Sequence, residues 1–154
     1  MWNRLRKQVA LEQRQLSRLF DVYRPLVQKS AATQPDAVEC SALAAMLHSF
    51  YTGVENIFKR IAVECDGRAP EGGAWHRTLL DGMTEPGPKR PSVISTSLRE
   101  SLEAYLEFRH VFRQAYSFEL RWEKMSPLVL ECEKTWQRLD SELQAFTKRL
   151  QEGG

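Results

Sequence analysis

The stretch YLEFRHVFRQAYSFELRW, Tyr105–Trp122, sets three arginines, a histidine and two tyrosines between large apolar side chains. On a helix, Leu98, Leu102, Tyr105, Phe112 and Tyr116 fall at i, i+4, i+7, i+14 and i+18, one stripe of the kind that faces a core. The place in that stripe between Tyr105 and Phe112 is taken by Arg109. A guanidinium among apolar neighbours needs a partner, because burying an unpaired charge is costly. Phe108, Val111, Ala115 and Phe118 form a second apolar strip on a different side. A helix apolar on two sides is expected to be covered twice, by its own bundle and by a second copy of the chain.

Toward the carboxyl terminus, Met125, Leu128, Cys132, Trp136, Leu139, Leu143, Phe146 and Leu150 step by 3, 4, 4, 3, 4, 3 and 4. This is the most regular stripe in the chain and marks a long last helix, closed by Gly153 and Gly154. Ser126 followed by Pro127 reads as an N-cap and first helical position. On the other side, Ser97 and Glu100 form an S-x-x-E capping box, so the third helix is expected from about Leu98 to Tyr116, with Ser117 as its break.

Residues 66–92 hold four prolines and five glycines and read as an irregular connection. Trp75, Leu79, Leu80 and Met83 predict one short helix within it, near Trp75–Gly82. So long a connection either serves function or is a docked insertion. Before it, Leu43, Leu47, Phe50, Val54, Phe58 and Ile61 step by 4, 3, 4, 4 and 3, with His48, Glu55 and Lys59 along one flank and Asn56 on the opposite side. The first helix has an apolar face from Trp2 to Val27, interrupted by Glu12. Pro25 is expected to kink or end it near Asp21–Arg24. Thr33 and Asp36 stand three apart as a variant capping box.

The pattern predicts an all-α fold: an antiparallel four-helix bundle, with helices near 2–28, 35–65, 97–116 and 119–151 and a short extra helix in the 66–92 connection. Residues 1–154 are expected to form a single domain. Composition is ordinary for a globular chain, 42% hydrophobic and 27% charged, which excludes disorder. A net charge of +2 is too weak to argue for nucleic acid. The first 24 residues hold six cationic residues against Glu12 and Asp21, which reads as a solvated face before it reads as an RNA track. Cys40, Cys65 and Cys132 lack metal-ligand spacing and fit buried thiols in a reducing compartment. No cofactor or metal is expected. No apolar run reaches the roughly 18–20 residues that span a bilayer. The amino-terminal MWNRLRKQ leads into charged sequence rather than an apolar signal core, so a cytoplasmic location is expected.

The block around Arg109 also resembles a known family. Arg109, four residues, then Gln114, Ala115 and Tyr116 is similar to the Arg-x4-His-x-Tyr signature of HepT-type toxins in the HEPN superfamily. The context FRHVFRQAYSFEL, and the stretches LHSFYTGVENIFKRIA (47–62) and WHRTLLDGM (75–83), extend the likeness over most of the chain. The resemblance implies the HEPN helical bundle and metal-independent RNA cleavage at a homodimer interface. It also implies a partner, an MNT-type nucleotidyltransferase antitoxin that adenylylates the motif tyrosine, here Tyr116. Where the family has histidine, this chain has Gln114.

Such cleavage needs a cation to hold the scissile phosphate and a group that moves protons at the ribose 2′-hydroxyl or the leaving oxygen. By the resemblance Arg109 fills the first role, and Arg113 extends the phosphate-binding patch. Gln114 cannot shuttle a proton, so weak or absent cleavage is expected. A non-catalytic HEPN dimer that binds RNA or a nucleotidyltransferase is the alternative. His110 is the nearest substitute base, but it points roughly 100° from Arg109 on a helix. His48 and His76 can approach only through the fold, and all three histidines read first as ordinary hydrogen-bonded or surface residues. Glu55, supported by Asn56 in the family pattern, either pairs with Arg109 across helices or faces solvent.

Overall fold

The structure, a computed structural model, describes residues 2–114, Tyr116 and residues 119–153. Its helices are α1 (Asn3–Ala32), α2 (Ala37–Ile61), α3 (Trp75–Gly82), α4 (Thr96–Phe112) and α5 (Trp122–Gly153), and one π-helical turn, Ala62–Asp66, continues α2. Among the described residues there is no strand, only an isolated bridge between Gly87 and Arg90. The chain is an all-α helical bundle.

Cross-links give the direction of each neighbour. Asn56 and Lys29 tie α2 to α1 through Glu12 and Glu39, so early residues of one face late residues of the other. Gln13 meets Asp140 and Arg24 meets Glu133, which sets α5 antiparallel to α1. Ser95 meets Glu142 and Tyr105 meets Leu128, which does the same for α4 and α5. The apolar stripes read from the sequence face inward, except toward and past the end of α4, where Val111 and Tyr116 are exposed. Phe50 stands at their meeting point, edge-on to Phe20 of α1 at 5.8 Å and to Tyr105 of α4 at 5.2 Å. α1 and α2 approach most closely at Gly53, where a Cβ would lie 2.6 Å from Leu16 Cδ2.

Several boundaries differ from expectation. α1 remains helical past Asp21–Arg24, through Pro25 and on to Ala32, one turn beyond the end expected near 28, held after the proline by Leu26 and Val27 against the core. The cap of α2 is Asp36 with Glu39, a reciprocal capping box, rather than Thr33 with Asp36. α4 is capped by Ser95, whose hydroxyl accepts from the Leu98 N–H, while Ser97 instead accepts from Arg138 of α5. α4 stops at Phe112 rather than Tyr116, because the apolar stripe ceases to be covered there: Tyr116 is 70% exposed. α5 starts at Trp122, within a turn of the start expected near 119 and ahead of the Ser126–Pro127 signal, because half-buried Trp122 and buried Met125 pack the turn ahead of Pro127 onto the core. Ala115 and Phe118 of the second apolar strip, the break at Ser117, and Gly154 lie outside the described residues.

The connection between α3 and α4 is docked. Arg90 donates from Nε and Nη2 to Asp66 at 2.9 and 3.0 Å, and to the carbonyls of Glu85, Pro91 and Gly82. Met83, Val93 and Ile94 are buried, and the N–H groups of Val93 and Ile94 both donate to the Met83 carbonyl. This firm seating fixes α3, and α3 builds one wall of the site.

Candidate functional site

The centre of the site is Glu55, on the inner face of α2 and 2% exposed. One carboxylate oxygen, Oε1, accepts from Arg109 Nη1 of α4. The other, Oε2, lies 2.5 Å from Nδ1 of His76 on α3. A carboxylate accepts, so the ring nitrogen facing it carries the hydrogen. The Arg109 side chain is 15% exposed, and its Nε is buried with no hydrogen-bond partner among the described residues. The pairing expected for the one cation in the α4 stripe is therefore with Glu55, and His76 shares it.

Charge pairs hold α3 over this cluster. Arg77 donates to Glu103 of α4 at 2.5 Å, and Arg99 of α4 bridges Asp81 at 2.7 Å and Glu103. Lys59 of α2 sits 4.3 Å above the Trp75 ring, and that ring lies against His76 with centroids 3.6 Å apart. α3 thus serves as a short lid whose underside carries an imidazole.

Between α3 and the end of α4 opens a cleft of about 470 Å³. Its walls carry Arg77, Arg109, Arg113, His76 and His110, against one carboxylate, Glu107. Cations in a concave, partly apolar wall suit an anion such as a phosphodiester. His48 approaches from α2, with its ring 5.6 Å from that of Phe112. Burial holds its pKa below the ordinary imidazole range, and the charges of Arg109 and Arg113 add to that. The Tyr51 hydroxyl, one turn before Glu55, is buried without a partner among the described residues. Burial, then the charge of Glu55, pushes its pKa well up, so it remains a neutral phenol.

The sequence-derived residues divide into three groups. Glu55 and Arg109 meet, and Arg113 and His110 line the same cleft. Gln114 and Tyr116 are exposed at the end of α4, and Gln114 Nε2 lies 3.5 Å from His110 Nε2, one turn back. Asn56 lies elsewhere: it donates to Glu12 at 3.5 Å and lines a separate groove between α1 and α2. Arg77 was not among the expected site residues, and His76 was weighed only as a histidine that could approach through the fold. Their signal was present in WHRTLLDGM, but only the fold brings 76 onto 55. Among the described residues no three His, Cys, Asp or Glu side chains gather as a metal-binding group.

What these elements define is an all-α protein with a cation-lined cleft, in which one buried carboxylate orders a guanidinium and an imidazole. A family model described as HepT-like protein matches residues 42–150, and the chain belongs to that HepT-like family. No match was found among curated proteins, and none among solved structures. No helix, among the described residues, is long and apolar enough to cross a membrane.

Proposed function

We propose that this chain is the toxin-side member of a HEPN/MNT pair and that its Arg109 cleft takes the phosphate backbone of RNA. The observation that carries this reading is the fixed guanidinium. Glu55 restrains Arg109 at the base of a cleft whose rim adds Arg77 and Arg113. A preoriented guanidinium stabilises charge developing on a phosphodiester without reorganising at the moment of reaction. Membership of the HepT-like family supports the same chemistry.

Gln114 stands where the family signature has its proton-transfer histidine, and general acid–base catalysis contributes about 10²–10⁴-fold. We therefore expect this chain to bind RNA well and cleave it weakly. This same residue favours a second reading, a non-catalytic dimer that binds RNA or a nucleotidyltransferase. A cleavage assay with a metal chelator separates the two. Gln114→His should raise cleavage by roughly 10²-fold or more. Adding Arg109→Ala to that change should abolish it. Cleavage that survives the loss of Arg109 would overturn the reading. Tyr116, exposed just beyond α4, is proposed as the adenylylation site for the nucleotidyltransferase partner. Mass spectrometry after incubation with that enzyme and ATP should find AMP on Tyr116, and AMP elsewhere would refute the assignment.

A further inference from the structure

We infer that His76 is the proton-transfer group of the Arg109 cleft and that Glu55 is its positioning residue. The inference rests on the RNA-cleaving reading above and assigns the base that Gln114 cannot supply. His76 Nδ1 is tied to Glu55 Oε2 at 2.5 Å, which leaves Nε2 as the free ring nitrogen. The His76 side chain makes no other hydrogen bond among the described residues and, 28% exposed, lines the cleft. Arg109 occupies the other oxygen of the same carboxylate, so the phosphate-holding cation and the imidazole stand side by side.

Glu55 cannot relax toward solvent without uncovering its second partner. A buried carboxylate that orients an imidazole is the arrangement a histidine base requires. The other histidines lack it. His110 is exposed and its polar neighbour is Gln114. His48 packs on Phe112 and borders the groove between α1 and α2. The His76 ring meets Glu55 of α2 and shares the cleft wall with Arg77 of α3, with Glu107, Arg109 and His110 of α4, and with Arg113 just past the end of α4; Lys59 of α2 lies over the adjoining Trp75 ring.

The step balances as an internal transfer. Nε2 takes the 2′-hydroxyl proton, the 2′-oxygen–phosphorus bond forms, and the bond from phosphorus to the 5′-oxygen breaks. That oxygen leaves with a proton from the imidazolium or from water. The products are a 2′,3′-cyclic phosphate and a 5′-hydroxyl, and no oxidant or other reactant is needed.

The test compares the full-length wild type, His76→Gln, Gln114→His and His76→Gln/Gln114→His on a single-stranded RNA oligonucleotide with chelator present. Glutamine at 76 can still donate to Glu55, so the lid stays seated and the RNA should still bind through Arg77, Arg109 and Arg113. The wild type should show slow cleavage with a pH limb that titrates one group. His76→Gln should lose that limb and about 10²-fold or more of the rate. Free imidazole should restore part of it. Gln114→His should cleave whether or not His76 is present. An unchanged rate and pH profile in His76→Gln would overturn the inference and leave the ribonuclease reading intact. So would a wild type that never cleaves beside a Gln114→His variant that does. No cleavage by any of the four proteins would overturn both.

Discussion

A carboxylate inside a helical bundle is tolerated when its lone pairs are taken, and at Glu55 both oxygens are. Removing one partner leaves the other charge buried, which costs about 3–5 kcal/mol in comparable sites. Glu55→Ala should therefore destabilise the fold, whereas Gln114→His, on an exposed residue, should not. His48 supplies a pH prediction. Its folded pKa is lowered, first by burial and then by Arg109 and Arg113. The unfolded chain thus binds the proton more readily, so stability is complete above the ordinary histidine value, about 6.5, and falls as pH drops through it. Urea midpoints from about pH 7 to 5 should fall less steeply for His48→Gln than for the wild type. At this scale the sequence was legible where a rule of burial applied. Arg109 interrupts an apolar stripe, and so had to find a counter-charge. It was illegible where geometry across a loop decides. His76 and Glu55 are 21 positions apart, and no periodicity connects them.

Stripes located every helix, because apolar positions repeating every three or four residues face one way whatever the neighbours. Ends were harder to place, since an end depends on what covers the next turn. Pro25 and Ser126–Pro127 carry strong local stop and start signals, yet α1 and α5 run through them because packing on both sides outweighs one lost backbone hydrogen bond. Tyr116 fits the α4 stripe by spacing but falls outside the helix, where it is 70% exposed. The close approach of α1 and α2 gives a prediction for this scale. Gly53→Val places its Cβ against Leu16, which is itself 3% exposed and has little room to move. The variant should lose about 1–3 kcal/mol in denaturant titration despite the removal of a helical glycine. A neutral change would mean that the two helices can separate without cost.

Assembly belongs to the whole molecule. Val111 is 57% exposed on α4, beside half-buried Phe108 and Phe112. We expect this end of α4 to meet its copy, bringing two Arg109 clefts together. Light scattering at tens of micromolar should report a dimer, and Val111→Arg should shift it toward monomer; a wild-type monomer would refute the pairing. The bundle also has a sequence in time. α1 and α2 are joined by residues 33–36 and can pair early, whereas Gln13 and Asp140 are 127 positions apart. Closing so long a loop costs entropy that no local contact offsets. The seam between α1 and α5 should therefore form after the transition state. Gln13→Ala, worth about 1 kcal/mol for its hydrogen bond, should quicken unfolding and leave the folding rate nearly unchanged. Leu16→Ala, in the early pair, should slow folding instead, and stopped-flow chevrons of the two variants would tell them apart. The seam that closes last then sets how long the folded protein survives, although it lies far from the cleft.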